Sequence, residues 1–161
     1  MLKNNSKKNI VVAVSGGFDP LHPGHTRLIH EAKKLGHTLV VVLNNDNWLK
    51  AKKGQPFMNQ KERKEVLEAL RDVDKVVLTS HKPNPKDMSV SETLKKIKPD
   101  IFANGGDRNK KNAADPKSSL YTDIHTCKKI GCKMIFNVGH GGKVQSSSWL
   151  LANYTKTKKK K

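Results

Sequence analysis

The stretch GGFDPLHPGH, Gly16–His25, lies between two apolar segments of different period. The five residues 10–14 before it are apolar and mostly β-branched, which is typical of a buried parallel strand. The apolar residues after it are spaced like one face of a helix: Leu28, Ile29, Ala32 and Leu35. Pro23 stands where that helix would begin and Gly36 where it would stop. The stretch therefore connects the end of a strand to the start of a helix, where open α/β sheets bind their ligands.

Glycine and histidine in this connection favour a phosphate ligand. Gly16 and Gly17 carry no Cβ, so backbone N–H groups can approach an anion closely, and the helix that follows presents its positive end. His22 and His25 flank a proline and a glycine, a spacing that suits two imidazoles turned toward one ligand. The stretch predicts a nucleotide phosphate site.

The rest of the chain alternates between predicted strands and helices. Four more apolar runs are predicted strands: residues 38–43, 73–78, 101–103 and 133–138. Helices are predicted after a capping box at Asn59 and Glu62, after a second at Ser89 and Glu92, from Asp115 onward, and after Ser148. Residues 44–56 are predicted to be an irregular, basic loop. This order predicts a single α/β domain whose five strands run parallel.

Charge is concentrated at both ends of the chain. The 161 residues contain 32 basic and 14 acidic side chains, a net charge of +18. Eight lysines lie in residues 1–9 and 155–161, predicted to be a flexible N-terminal arm and a disordered lysine-rich tail. The folded part, residues 10–154, keeps about +10, which suits an anionic substrate.

Other composition signals exclude several classes of protein. No apolar run is long enough to span a membrane, and no leader peptide is recognised, so a cytoplasmic location is expected. Cys127 and Cys132 lack zinc-site spacing and are expected to be reduced thiols. Eight aromatic residues and the absence of a nucleic-acid-binding motif argue against nucleic acid as the partner.

Two motifs resemble those of a known superfamily. His22-Pro23-Gly24-His25 resembles the HxGH signature of the nucleotidyltransferases, and Gly17–His22 resembles its usual lead-in. Ser146-Ser147-Ser148 resembles a second signature, which reads Ser-Thr-Thr in the cytidylyltransferase-like branch. The resemblance implies a Rossmann-like domain with strand order 3-2-1-4-5.

The same resemblance implies the reaction. Members transfer a nucleoside monophosphate from a nucleoside triphosphate to a phosphorylated acceptor and release pyrophosphate. His22 and His25 would hold the triphosphate and the transferred phosphoryl group. The nucleotide would also contact Gly16, Gly17, Phe18 and Gly24. Mg²⁺ is the expected cofactor, bridging phosphate oxygens, with no protein ligand assigned.

Basic residues after the second strand are expected to bind phosphates. By the resemblance, Lys52 meets the acceptor phosphate, with Lys50 and Lys53 as alternatives, and Arg63 reaches the phosphates through its guanidinium fork. His22, His25, Lys52 and Arg63 form the expected catalytic set, and Asp19, Lys52 and Lys53 the expected acceptor set. Asp19 has an alternative role that we favour, which is fixing the turn by accepting backbone hydrogen bonds.

Two later segments are expected to contact the nucleotide. Gly105 and Asp107 lie in a Gly-Gly-Asp loop that resembles the one in heptose-phosphate adenylyltransferases. The hydroxyls of Ser146, Ser147 and Ser148 would bind the β- and γ-phosphates at a helix start. This chain departs from the family pattern after those serines, with Trp149 where Lys or Asn is common and Leu151 where some branches have Arg.

The leading hypothesis from the sequence is transfer of CMP from CTP to a phosphorylated polyol or sugar, as in glycerol-3-phosphate cytidylyltransferases. The alternative is transfer of AMP from ATP to a heptose 1-phosphate or to FMN. A non-catalytic protein that binds nucleotide or nucleic acid is the alternative of another class. A homodimer is expected by the same resemblance.

Overall fold

The computed structural model describes residues 8–106, 108–139, 143 and 145–158. Their five strands form one sheet in the order β3-β2-β1-β4-β5, and every neighbouring pair is parallel. The strands are β1 Val11–Gly16, β2 Thr38–Leu43, β3 Lys75–Leu78, β4 Ile101–Ala103 and β5 Lys133–Ile135. The predicted Rossmann-like fold and its strand order are confirmed.

Helices cover both faces of the sheet. They are α1 Pro23–Lys33, α2 Asp46–Lys53, α3 Gln60–Glu68, α4 Ser91–Ile97, α5 Lys110–Ala114, α6 Ser119–Ile130 and α7 Ser147–Lys158. One core contains Ile29 of α1 and Leu67 of α3, packed on Val12 and Val41. The other contains Leu94 of α4 and Cys127 of α6, packed on alternate strand residues such as Ala13. Successive side chains of β1 point to opposite faces of the sheet, so this strand contributes to both cores.

Helix α2 replaces part of the predicted loop at residues 44–56, so that prediction was wrong. The polar residues Asn44–Asn47 contain a helix start, because the Asn45 side chain accepts a hydrogen bond from Trp48 N at 3.1 Å. The Leu49 side chain is fully buried and fixes the helix against the domain. Gly54, with φ of 89°, ends the helix.

Helix α4 starts differently from the prediction. The capping box at Asn59 and Glu62 is confirmed at the start of α3, but the one at Ser89 and Glu92 is not formed. Asp123 of α6 serves α4 instead: its carboxylate accepts hydrogen bonds from Val90 N at 2.9 Å and Ser91 Oγ at 3.2 Å. A cap supplied by another helix leaves no local sequence signal.

The C-terminal helix passes the predicted end of the domain. α7 continues through Lys158, whereas the sequence placed the boundary at Tyr154. Residues 1–7 and 159–161, which carry most of the predicted arm and tail, lie outside the described residues. Within the described part of the chain, no helix has the length and apolar character needed to cross a membrane.

Candidate nucleotide-binding site

The loops that follow β1, β4 and β5 enclose a cavity of about 360 Å³ with the start of α7. His22 lines it at the end of the first loop, Gly24 and His25 from the first turn of α1, Gly105 from the loop after β4, and Ser146–Ser148 at the start of α7. The structure thus brings the two predicted motifs, more than 120 residues apart in sequence, to one cavity. Its position at the carboxyl ends of parallel strands is where this type of sheet binds ligands.

His22 and His25 are stacked at the wall of this cavity. Their ring centroids lie 3.6 Å apart with an angle of 23° between the planes. His22 caps α1, since its Nδ1 accepts a hydrogen bond from Gly24 N at 3.1 Å. This bond leaves the proton of a neutral His22 ring on Nε2, which is then a donor.

Both imidazoles are held in the neutral form. Burial, the adjacent His22 ring and the Lys53 ammonium lower the pKa of His25 to about 3. Burial and then Lys53 also lower the pKa of His22. His25 Nδ1 is buried and has no hydrogen-bond partner among the described residues. The pair therefore offers neutral donors, and a bound anion would favour their protonation.

Gly16, Gly17 and Phe18, which were expected to contact the nucleotide, do not line the cavity. Phe18 is buried in the left-handed region, with φ of 49°, and its ring meets the His25 ring edge-on at 4.9 Å between centroids. A Cβ on Gly17 would come within 2.9 Å of Leu49 Cδ2, so a larger residue here would require the Leu49 side chain on α2 to shift.

Asp19 has the structural role that the sequence favoured. It is fully buried, and its carboxylate accepts hydrogen bonds from Phe57 N at 2.6 Å and Met58 N at 2.8 Å. These bonds tie the loop after β1 to the segment between α2 and α3. Asp19 is therefore placed as a turn-fixing residue and not at the cavity wall as an acceptor ligand.

Lys53, and not Lys52, reaches the cavity. The Lys53 ammonium donates to the Asp19 carbonyl oxygen at 3.1 Å and lines the cavity with the two histidines. Burial lowers its pKa, against the opposing effect of the Asp19 carboxylate. Lys52, the residue assigned to the acceptor phosphate, is absent from the cavity wall, as is Lys50, although all three lysines are exposed on α2. Lys53, which was one of the alternatives, is therefore better placed than Lys52 to meet the acceptor phosphate.

Arg63 is positioned differently from the prediction. It is 1% exposed, and its guanidinium donates to backbone oxygens of Gly17, Asn44 and Met58 at 2.7–3.0 Å. Its Nη2 also pairs with Asp46 Oδ1 at 2.6 Å. With these four bonds made inside the protein, Arg63 braces the loops around the site and does not extend a free fork to the cavity.

The structure describes part of the Gly-Gly-Asp loop that was predicted to contact the nucleotide. Gly105 lines the cavity, and a Cβ there would lie 2.6 Å from the Val138 carbonyl oxygen, so only glycine lets these loops pack together. Gly106 also lines the cavity. Asp107 lies outside the described residues, and its predicted contact with the nucleotide stays a prediction.

The three serines stand at the start of α7. Ser147 Oγ donates to the Pro20 carbonyl oxygen at 2.9 Å, which anchors the helix to the loop of the first motif. Ser146 Oγ accepts from Trp149 N at 3.1 Å, so it caps the helix. Ser148 lines the cavity with both of them and is exposed.

Several wall residues were missed by the sequence analysis. Arg27, Leu28, Lys143 and Trp149 line the cavity, as does Ser15 at the end of β1. Arg27 lies two residues after His25, so its closeness to the first motif could have indicated a place at the cavity wall. Lys143 lies in a lysine-rich chain, where no local pattern singles it out.

All the charged side chains among the described residues of the cavity wall are basic. The described wall residues include Arg27, Lys53 and Lys143 but no Asp or Glu. Among all described residues, no cluster of three or more His, Cys, Asp or Glu side chains is arranged to hold a metal ion. These residues fit a polyanion and do not fit a magnesium site of their own, so we assign no step to a protein-bound metal.

Comparison with known proteins agrees with the geometry. The model of the family "Cytidylyltransferase-like" matches residues 13–137. A protein named FAD synthase from Pyrococcus abyssi is 43% identical over 102 residues, which are 63% of this chain and 66% of that protein. An FAD synthase from Pyrococcus horikoshii is 40% identical over 104 residues, 64% of this chain and 67% of that protein. The match thus spans about two thirds of these relatives.

A solved structure has the same architecture over most of its length. It is the lipopolysaccharide core biosynthesis protein from Thermoplasma volcanium, with a TM-score of 0.64 and 29% identity. The match covers 81% of this chain and 97% of that one.

Proposed function

The chain belongs to the cytidylyltransferase-like family, and we propose that within it this protein transfers AMP from ATP to FMN, forming FAD and pyrophosphate. The acceptor and the base follow the relatives named FAD synthase, which are 39–43% identical where they match. The cytidylyl transfer to a polyol phosphate favoured by the sequence gives way to the FMN alternative for this reason.

One structural observation carries the proposed chemistry: the stacked, neutral His22–His25 pair faces a cavity whose described ionic side chains are all cationic. Transfer between two phosphates brings two polyanions together, and the main barrier is their mutual repulsion. A pair of imidazole donors beside Lys53 meets that requirement without a nucleophilic side chain.

The reaction balances without a covalent enzyme intermediate. An oxygen of the FMN phosphate attacks the α-phosphorus of ATP in line, a new P–O bond forms, and the bond between the α-phosphorus and the bridging oxygen to the β-phosphorus breaks. The electron pair leaves with pyrophosphate. His22 Nε2–H donates toward the charge that develops on the transferred group, and Lys53 offsets charge on the incoming phosphate. Mg²⁺ is proposed to arrive bound to the phosphates.

The test is a product assay with matched substrates. Purified protein with Mg²⁺ is given ATP or CTP together with either FMN or glycerol 3-phosphate, and FAD and pyrophosphate are measured in parallel. We expect FAD and pyrophosphate in equal amounts with ATP. Pyrophosphate release with CTP and glycerol 3-phosphate, and none with ATP and FMN, would refute the proposal.

A second acceptor class is favoured by one specific observation. The structure of the lipopolysaccharide core biosynthesis protein is matched over 97% of its length. Because that protein is named for lipopolysaccharide core biosynthesis, we propose a sugar phosphate as the second candidate acceptor at the same site. A heptose 1-phosphate in the same assay distinguishes it from FMN, because each product has its own chromatographic mobility.

A further inference from the structure

Lys143 and Trp149 form a pair at the cavity wall that the reaction described above does not use. The Lys143 ammonium lies 5.3 Å from the centroid of the Trp149 ring, within the range of a cation–π contact. The indole is 51% exposed although it borders the cavity.

The surroundings of the pair indicate what it meets. Trp149 lies in the first turn of α7, and its backbone N–H donates to Ser146 Oγ at 3.1 Å. Lys143 and the three serines line the same cavity, at the positive end of a 12-residue helix. Lys53, the other lysine of the wall, is bonded to Asp19 O in the loop after β1. Two lysines thus approach the cavity from different elements.

We infer that Lys143 binds the terminal phosphates of the triphosphate and that Trp149 is the positioning residue that holds its ammonium at the wall beforehand. This inference rests on the proposed nucleotidyl transfer. A cation–π contact at an exposed ring is weaker than a charge-assisted hydrogen bond to phosphate, so the ammonium exchanges from ring to phosphate on binding. Holding the long lysine side chain near its target reduces the entropy lost at that step.

The experiment is a set of binding titrations, with Mg²⁺ throughout, in which the number of phosphates varies. Lys143→Met is compared with wild type for AMP, ATP and pyrophosphate. We expect the Kd for ATP and for pyrophosphate to rise about tenfold and the Kd for AMP to stay within twofold, as for loss of one charge-assisted bond. Lys143→Arg should recover most of the affinity. Lys96→Met, an exposed lysine of α4 away from this cavity, controls for the change in net charge.

Trp149 is tested through its dependence on Lys143. Trp149→Leu should raise the Kd for ATP about threefold, and in the Lys143→Met background the same change should add nothing. A ring that instead stacks on the base would weaken AMP and ATP equally, with or without Lys143. That result would overturn the positioning role.

Failure of this inference and failure of the proposed function give different results. If Lys143→Met binds ATP and pyrophosphate as wild type does, the inference is wrong even where FAD is formed normally. If FMN is not the acceptor, no FAD forms, yet the selective loss of ATP and pyrophosphate binding remains. Equal loss for AMP and pyrophosphate would also overturn the assignment, because it indicates general damage to the cavity.

Discussion

At the scale of single residues, the two stacked histidines are expected to contribute most to turnover. His22→Ala and His25→Ala should each lower kcat about a hundredfold, as loss of a preorganised donor to the transition state does. Steady-state FAD formation at saturating FMN and ATP measures this. His30→Ala is a matched control, because His30 is an exposed histidine of the same helix that pairs with Asp72 and does not line the main cavity. Near-normal kcat in both cavity variants would contradict the assignment.

Two adjacent lysines give a second residue-scale prediction. Lys53→Ala should lower kcat/KM for FMN at least tenfold, since it removes a cation that borders the cavity and contacts Asp19 O. Lys52→Ala should stay within twofold of wild type, because that side chain is exposed outside the cavity wall. The reverse order would instead support the role predicted for Lys52 at the acceptor phosphate.

The choice between these lysines shows where sequence reasoning stops at this scale. Successive residues of a helix point about 100° apart, so only the helix phase distinguishes Lys52 from Lys53. The sequence predicted an irregular loop at residues 44–56. In such a loop the spacing of residues does not indicate which side chain points toward the site. The histidines were predictable because their motif lies at a strand-to-helix junction that the flanking apolar periods define.

At the scale of elements, Arg63 connects parts of the fold that surround the site. Its guanidinium bridges the loop after β1 at Gly17, the end of β2 at Asn44 and the first turn of α2 at Asp46. Because the group is buried, removing it leaves Asp46 and three backbone carbonyls, those of Gly17, Asn44 and Met58, without their partner.

We therefore expect Arg63→Met to lower the free energy of unfolding by about 3–5 kcal/mol, measured by urea denaturation. Arg63→Lys should recover only a small part, because an ammonium cannot span these separate acceptors. If both variants keep wild-type stability and instead raise the KM for ATP, Arg63 acts on the phosphates as the sequence suggested.

The elements themselves differ in how far they could be predicted. β2 and β4 have the predicted bounds, because continuous apolar runs mark buried parallel strands. The start of α4 was not predicted correctly, because its cap comes from Asp123, more than 30 residues away in the sequence. Arg63 was misplaced for a similar reason, since its acceptors are backbone carbonyls, which have no sequence signature.

At the scale of the whole molecule, His25 and Asp123, which lie on opposite faces of the sheet, change the stability of the protein in opposite directions as pH falls. The pKa of His25, on α1, is lowered to about 3, mainly by burial. The pKa of Asp123, on α6, is raised to about 6, again mainly by burial. His25 therefore costs stability as pH falls below about 6.5, and Asp123 costs stability as pH rises from about 3.9 to 6.

Between pH 4 and 6 the effects of His25 and Asp123 on stability oppose each other in the wild-type protein, and His22, whose pKa is also lowered, acts in the same direction as His25. In that range the unfolded chain binds a proton at His25 that the folded chain does not, and the folded chain binds one at Asp123 that the unfolded chain does not. Each group alone changes stability by at most about 1.4 kcal/mol per pH unit, with opposite sign. Asp74 and Asp100, whose pKa values are lowered, act mainly below this range.

Substitutions should separate the two slopes. Urea unfolding of the His22→Gln, His25→Gln variant between pH 4 and 6 should show stability falling as pH rises, because neither histidine then opposes the Asp123 effect. Asp123→Asn should show stability rising with pH over the same range, since His22 and His25 still titrate against folding. The variant with all three substitutions should be nearly flat, because the histidines and Asp123 lie on opposite faces and their effects should add. Parallel profiles for the histidine variant and Asp123→Asn would mean that these groups do not govern acid stability.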